Sequence, residues 1–117
     1  LDDAHLDIFF ANLRQLLRQG GITVITTPNE ERLEDSEVYC PSCDRGFHRY
    51  QHLRRWSAKT LAARVGASGL DVECTYTTDF SEPRFGNLTG KAKRIVKRLL
   101  GRPEKRPHLV CIARRPG

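Results

Sequence analysis

The sequence has no methionine, one tryptophan, and no apolar run approaching the roughly 20 residues that a membrane-spanning helix requires. A spanning segment is therefore excluded. The chain opens Leu1-Asp2-Asp3, acidic and without Met, so it shows neither a signal peptide nor a natural start. We expect a piece of a longer protein. Also missing are a Gly-x-Gly-x-x-Gly loop, a phosphate-binding loop and a Gly-x-Ser-x-Gly elbow, and no complete catalytic constellation is present. Repeats and low-complexity stretches are absent too. What remains is an ordinary globular composition, 38% hydrophobic and 29% charged over 117 residues, enough for one domain with one modest core.

Charge is unevenly spread within a net +6. Residues 1–37 carry three basic groups (Arg14, Arg18, Arg32) against eight acidic ones, whereas 84–106 carry nine basic groups opposed only by Glu104. Such asymmetry fits either a nucleic-acid or anionic-membrane patch, or a solvated helix face followed by a basic loop. Of the four cysteines, two form one Cys-x-x-Cys and two lie singly in apolar strands. Without a secretory signal this pattern points to a reducing compartment, hence the cytoplasm, and to metal binding over disulfides.

Helical spacing of Leu6, Phe9, Phe10, Leu13, Leu16 and Leu17 predicts a helix over 4–18, capped by Asp2 or Asp3 and ended by Gly20-Gly21. The β-branched run Ile22 to Thr27, halted by Pro28-Asn29, predicts a short buried strand. Ser57 caps a second helix with Leu61, Ala62 and Val65 inward, terminated by Gly66 and Gly69. Leu70 to Thr78 alternates and predicts a strand with Val72, Cys74 and Tyr76 inward. A short basic helix is expected at 91–100 and a final buried strand at 108–113. The expected class is α/β.

Cys40-Pro-Ser-Cys43-Asp-Arg-Gly-Phe-His48-Arg-Tyr-Gln-His52 carries the strongest chemical signal. A Cys-x-x-Cys turn aims both thiolates at one point, and two histidines four apart share a face if the segment turns helical. Together Cys40, Cys43, His48 and His52 make a closed tetrahedral zinc set, structural rather than catalytic. The spacing lacks the separator of a DNA-reading finger and is nearer a compact knuckle. The thiols could instead be plain surface groups or a redox pair, and His52 could point toward a cleft. Cys74 and Cys111 read as packing residues. Trp56, with Phe47 and Tyr50, reads as an anchor of the cluster to the sheet or as a stacking surface.

Residues 1–29, from Leu-Asp-Asp-Ala-His-Leu-Asp through Leu-Arg-Gln-Leu-Leu-Arg-Gln-Gly-Gly to Thr-Thr-Pro-Asn, resemble the second half of class I S-adenosylmethionine-dependent methyltransferases. His52-Leu-Arg-Arg-Trp-Ser-Ala-Lys-Thr-Leu61 is similar to the segment opening that family's next helix, Gly69-Leu70-Asp71-Val72 to the entry of its sixth strand, and Leu109 to Arg115 to its seventh. The likeness covers nearly the whole chain, weakly over 79–107. It implies the C-terminal half of a Rossmann-like sheet: three strands, mixed, with the last antiparallel and central, and helices alongside. Residues 1–117 would be one partial domain, with a small zinc-type insertion at 38–56. The family's cofactor-gripping residues would precede Leu1, so no S-adenosylmethionine-binding residue is expected here. A more distant likeness around His48 to Trp56, to terminal-RNA ribose methyltransferases, concerns a metal-binding His at that place.

The resemblance implies a parent enzyme moving a methyl group from S-adenosylmethionine to an unidentified acceptor, with zinc folding the lid and Asn29 and His52 nearest the substrate. This piece alone should be inert. The alternative is a zinc-knuckle module that binds nucleic acid, the 84–106 stretch contacting phosphates. Self-association through the edge of strand 22–27 is a further expectation.

Overall fold

The structure, a computed structural model, describes residues 1–81 and 106–117. Helix α1 (Asp3–Leu16) begins because the Asp2 carboxylate accepts the His5 backbone N–H at 2.9 Å and contacts its ring at 2.7 Å. Only Leu6 and Phe10 are buried, with Leu13 and Leu17 packed beside them, a stripe at i, i+4, i+7 and i+11. Phe9 (43% exposed) and Leu16 (85%) fall outside that stripe, which corrects the wider apolar face expected from sequence. The helix yields to extended backbone at Leu17, and Gly20, at φ +69°, turns the chain into the first strand.

Three strands form the main sheet in the order β1–β5–β4, where β1 is Ile22–Pro28, β4 Asp71–Thr78 and β5 His108–Arg114. The last strand is central, as expected. Both its pairings are antiparallel, so no parallel pair makes this a mixed sheet. Because each neighbour opposes β5, β1 and β4 run in the same direction. Their carboxyl ends meet at one rim, where Pro28 and Thr78 flank His108. β1 occupies one edge of the sheet.

Helix α2 (Ala58–Ala67) starts at Ser57 with a reciprocal capping box to Thr60. Gly66 lies inside this helix, and it is Gly69, at φ +80°, that takes the left-handed turn out of it. Leu61 and Val65 from α2, Leu6 and Phe10 from α1, and Leu109, Cys111 and Ala113 from β5 close one core, completed by Leu70. Arg64 crosses between the helices, pairing with Asp7 and lying 5.5 Å over the Phe10 ring. Ion pairs this exposed contribute little. The sheet's helix-covered side carries most of the apolar burial, and Val110 is buried on the opposite face.

Alternation on β4 breaks at a bulge between Val72 and Cys74. Val72 faces the core opposite Ala113, but the extra residue, Glu73, flips the phase, placing Cys74 opposite Ile112 and Tyr76 opposite Val110 on the other side. Cys74 and Tyr76 are consequently exposed, correcting their inward assignment. Cys111 does pack in the core, where burial pushes its thiol up.

A separate two-stranded hairpin joins β1 to α2. A short 3-10 turn (Leu33–Ser36) leads into β2 (Glu37–Cys40), which pairs with β3 (Arg45–His48). The expected helix at 91–100 and most of the basic 84–106 stretch lie outside the described residues.

Candidate metal centre

The rim where β1 and β4 end is where open α/β sheets place their ligands. There the chain is tied down before it diverges. The Asn29 N–H donates to the Pro107 carbonyl at 2.8 Å, and its side-chain amide donates to the Arg106 carbonyl at 3.0 Å. Glu30 adopts a left-handed backbone (φ +46°) and donates its N–H to the Trp56 carbonyl at 2.7 Å. This bend turns Glu31 toward the base of the hairpin.

His48 ends β3 at that base, paired across the ladder with Glu37. Beyond it a tight turn closes with the Gln51 N–H on the His48 carbonyl at 2.9 Å, with Gln51 itself left-handed at φ +57°. The turn, not a helix, brings His52 back over His48, the rings stacking at 4.9 Å with a 26° tilt. His48 Nδ1 accepts the backbone N–H groups of Tyr50 and His52, each at 3.2 Å. That fixes the ring with Nε2 aimed at Glu31.

Glu31 lies between the two imidazoles. Its Oε2 is 2.6 Å from His52 Nδ1 and its Oε1 is 3.5 Å from His48 Nε2. The three donor atoms lie within 4.8 Å of one another, and this is the single such group among the described residues. The His48 side chain is 6% exposed, and its Nε2 is buried without a hydrogen-bond partner. A buried polar atom left unpaired costs free energy unless something occupies the position it faces. Two imidazoles and a carboxylate are a donor set used for first-row divalent cations, leaving further positions open. With Nδ1 accepting two N–H groups, the neutral ring carries its proton on Nε2, toward Glu31; for Nε2 to take a cation that proton must move to Nδ1 and the two N–H contacts be given up.

The four-ligand set Cys40, Cys43, His48 and His52 is not assembled. Cys40 pairs with Arg45 at the hairpin tip, three register steps from the Glu37–His48 pair. At about 3.4 Å per residue that is roughly 10 Å along the strand, and an odd number of steps puts Cys40 and His48 on opposite faces. Neither thiol belongs to the Glu31 group. His48 and His52 do lie together, through a turn with a left-handed Gln51 rather than a helical face.

Glu31 was missed from the sequence because a carboxylate in an acidic loop is commonplace. Its one signal was position, two residues past Asn29 at the carboxyl end of a strand. Asn29 occupies the same rim, its amide committed to the Arg106 carbonyl. Trp56 packs against the core as an anchor, whereas Phe47 (49% exposed) and Tyr50 (61%) do not. Tyr50 instead tilts beside both histidine rings, at 6.0 and 5.9 Å. No helix among the described residues is long and apolar enough to cross a membrane.

No protein-family model matches this sequence, and no curated protein is similar to it.

Proposed function

We propose that this chain is the C-terminal part of an S-adenosylmethionine-dependent methyltransferase that holds a divalent cation, zinc first among them, on Glu31, His48 and His52. The observation that carries the cation is the convergence of the Glu31 carboxylate and two imidazoles, one of them buried, with their donor atoms within 4.8 Å of one another. What supports the methyltransferase frame is the strand order, with the last strand antiparallel in the centre, and a polar site at the rim where the co-directional strands end.

Three protein ligands with an open position make this a cation site of the catalytic type, unlike the closed structural site the cysteine spacing suggested. Held there, a divalent cation supplies Lewis acidity to an acceptor oxygen. Glu31 contributes the charge that draws a cation in, and a cation on His48 Nε2 would require that ring to exchange its two amide contacts at Nδ1 for a proton there. His52, the more exposed of the two histidines, borders the side open to a substrate. The tie from Asn29 to Arg106 and Pro107 fixes the β1 rim from which Glu31 projects. Methyl transfer itself rests on holding donor and acceptor in line. The knuckle-type nucleic-acid reading depends on a basic stretch lying mostly outside the described residues.

The test is calorimetric titration of the chain with Zn²⁺ and Mn²⁺, beside a methyl-transfer assay. One cation per chain should bind, and His52→Ala should weaken it at least tenfold. The chain alone should show no turnover, whereas the longer protein should lose methyl transfer on His52→Ala. Unchanged affinity in His52→Ala removes the cation site, and turnover by the isolated chain removes the assignment as a partial enzyme.

A further inference from the structure

At the end of the main sheet away from Glu31, three arginines border one cleft. β5 leaves the rim at His108 and ends at Arg114, six residues on, which is about 20 Å along the strand. There a cleft of about 430 Å³ opens, lined from α1, from the last turn of α2 and by the residue that follows β5. Arg14, Arg64 and Arg115 come from these three places in turn. Phe10, Ala11 and Ala67 supply the apolar part of its wall.

Each arginine is placed by its own contacts. The Arg115 carbonyl accepts the Gly20 N–H at 3.0 Å, and its N–H donates to the Gly21 carbonyl at 2.9 Å. Its side chain donates to the Leu17 carbonyl at the end of α1. Arg64 pairs with Asp7 and covers the Phe10 ring. Arg14 makes no hydrogen bond or ion pair among the described residues. Its guanidinium lies against the bare backbone of Gly69, where a Cβ would sit 3.2 Å from the Arg14 Cζ. A basic group in the last turn of a helix suits the helix dipole, but the Leu17 carbonyl is already served by Arg115. Guanidinium groups carry five N–H donors each, and most of those around the cleft have no protein acceptor. Three positive charges against the one carboxylate of Asp7 leave a surplus of two. Like charges gathered around a concave surface raise the local concentration of anions there.

We propose that this cleft binds a small molecule bearing a phosphate monoester, with the phosphate on Arg14, Arg64 and Arg115 and the organic part against the apolar wall. A monoester carries about −1.5 to −2 charges at pH 7, which matches the surplus, whereas a carboxylate brings only one. Its oxygens also suit the forked donors of guanidinium groups. A bare phosphate ion has the charge but leaves the apolar wall wet. The cleft volume falls within the range of small-molecule sites, about 300–1,000 Å³, and exceeds what one ion fills. None of its lining residues belongs to the Glu31 group, so the site depends on neither the cation nor the methyltransferase reading.

The experiment titrates the isotope-labelled chain with phenyl phosphate, inorganic phosphate and phenol, following the backbone amide signals of Ala11, Ala67 and Ser68 by NMR. Phenyl phosphate should shift those signals saturably at one molecule per chain, with inorganic phosphate about tenfold weaker and phenol without effect. Arg14→Ala, which breaks no hydrogen bond, should weaken phenyl phosphate about tenfold. Asp7→Asn, which removes the one opposing charge, should tighten it. His52→Ala, Arg18→Ala and Lys97→Ala should leave it unchanged. Weakening in Arg18→Ala or Lys97→Ala equal to that in Arg14→Ala would mean diffuse attraction by basic groups and overturn the proposal. Inorganic phosphate binding as tightly as phenyl phosphate would assign the cleft to the free ion and overturn it too. So would displacement of phenyl phosphate by a short oligonucleotide lacking a terminal phosphate, which would assign the cleft to nucleic acid. Absence of any shift up to about 10 mM phenyl phosphate would also overturn it.

Discussion

The two sheets of this protein are held by different means. The three-stranded sheet has helices on one side and a central strand whose Leu109, Cys111 and Ala113 are fully buried. Apolar area removed from water, at about 25 cal/mol per Å², is its principal support. The β2–β3 hairpin buries one side chain, a histidine, and presents its aromatics to solvent. Its fixed points are polar: the His48–Glu31–His52 contacts at the base, the Arg49 N–H on the Ser36 carbonyl, and the Cys40–Cys43 turn at the tip. A region held by burial is indifferent to which ions are present. One held by a few polar donors is where ions can change stability, and where function is cheapest to place.

That contrast can be broken most directly at Leu109. Leu109→Ala should cost about 2–5 kcal/mol, much of the stability of a domain this size. Urea denaturation followed by circular dichroism measures it, and a loss well under 1 kcal/mol would mean that β5 is not the core. Ser57→Ala should cost about 1 kcal/mol by removing the oxygen that accepts the Thr60 N–H at the start of α2. Thermal melts read that difference, and an unchanged Tm would leave the capping box without energetic weight.

A smaller effect is expected at Asp2, whose carboxyl is held below its ordinary range by hydrogen bonds from the His5 backbone and ring. A carboxylate whose folded pKa is lowered adds stability that is present above its unfolded pKa, about 3.9, and is lost as pH falls through the folded value. Asp2→Asn keeps a capping oxygen and removes the titration. Its deficit relative to the native chain should therefore shrink as acid is added below that point, and a deficit independent of pH would contradict the assignment. Smallest of all, Phe47→Ala should change stability by no more than about 0.5 kcal/mol, since the ring is 49% exposed. A core-sized loss there would show that the hairpin is packed rather than held by its polar ties.

Much of this architecture was legible from local chemistry. The first helix, its Asp2 cap, the Ser57-capped second helix and the final strand each follow from spacing, caps and breakers within a few residues, as does the strand at 22–27, though it runs on through Pro28 and is an edge strand with no buried residue. The central place of β5 came from the resemblance, and the register confirms that place. Where the reading failed, a single residue changed the phase. A one-residue bulge at Glu73 moved Cys74 and Tyr76 to the opposite face, and no pattern of apolar residues marks such an insertion in advance.

The Glu31–His48–His52 group shows the same division. Sequence by itself keeps Cys40 near Cys43 and His48 near His52, because a chain of three or four residues leaves little freedom in how its ends meet. Whether the two pairs meet was decided only by the hairpin register, which separates them along the strand and across its faces. Tertiary structure alone supplied Glu31, which reaches His48 and His52 from 17 and 21 residues away through a left-handed Glu30 held on the Trp56 carbonyl. Short-range chemistry fixes which side chains can be neighbours in a turn. Long-range contact depends on where burial and hydrogen bonding lock distant segments together, and that is a property of the whole fold.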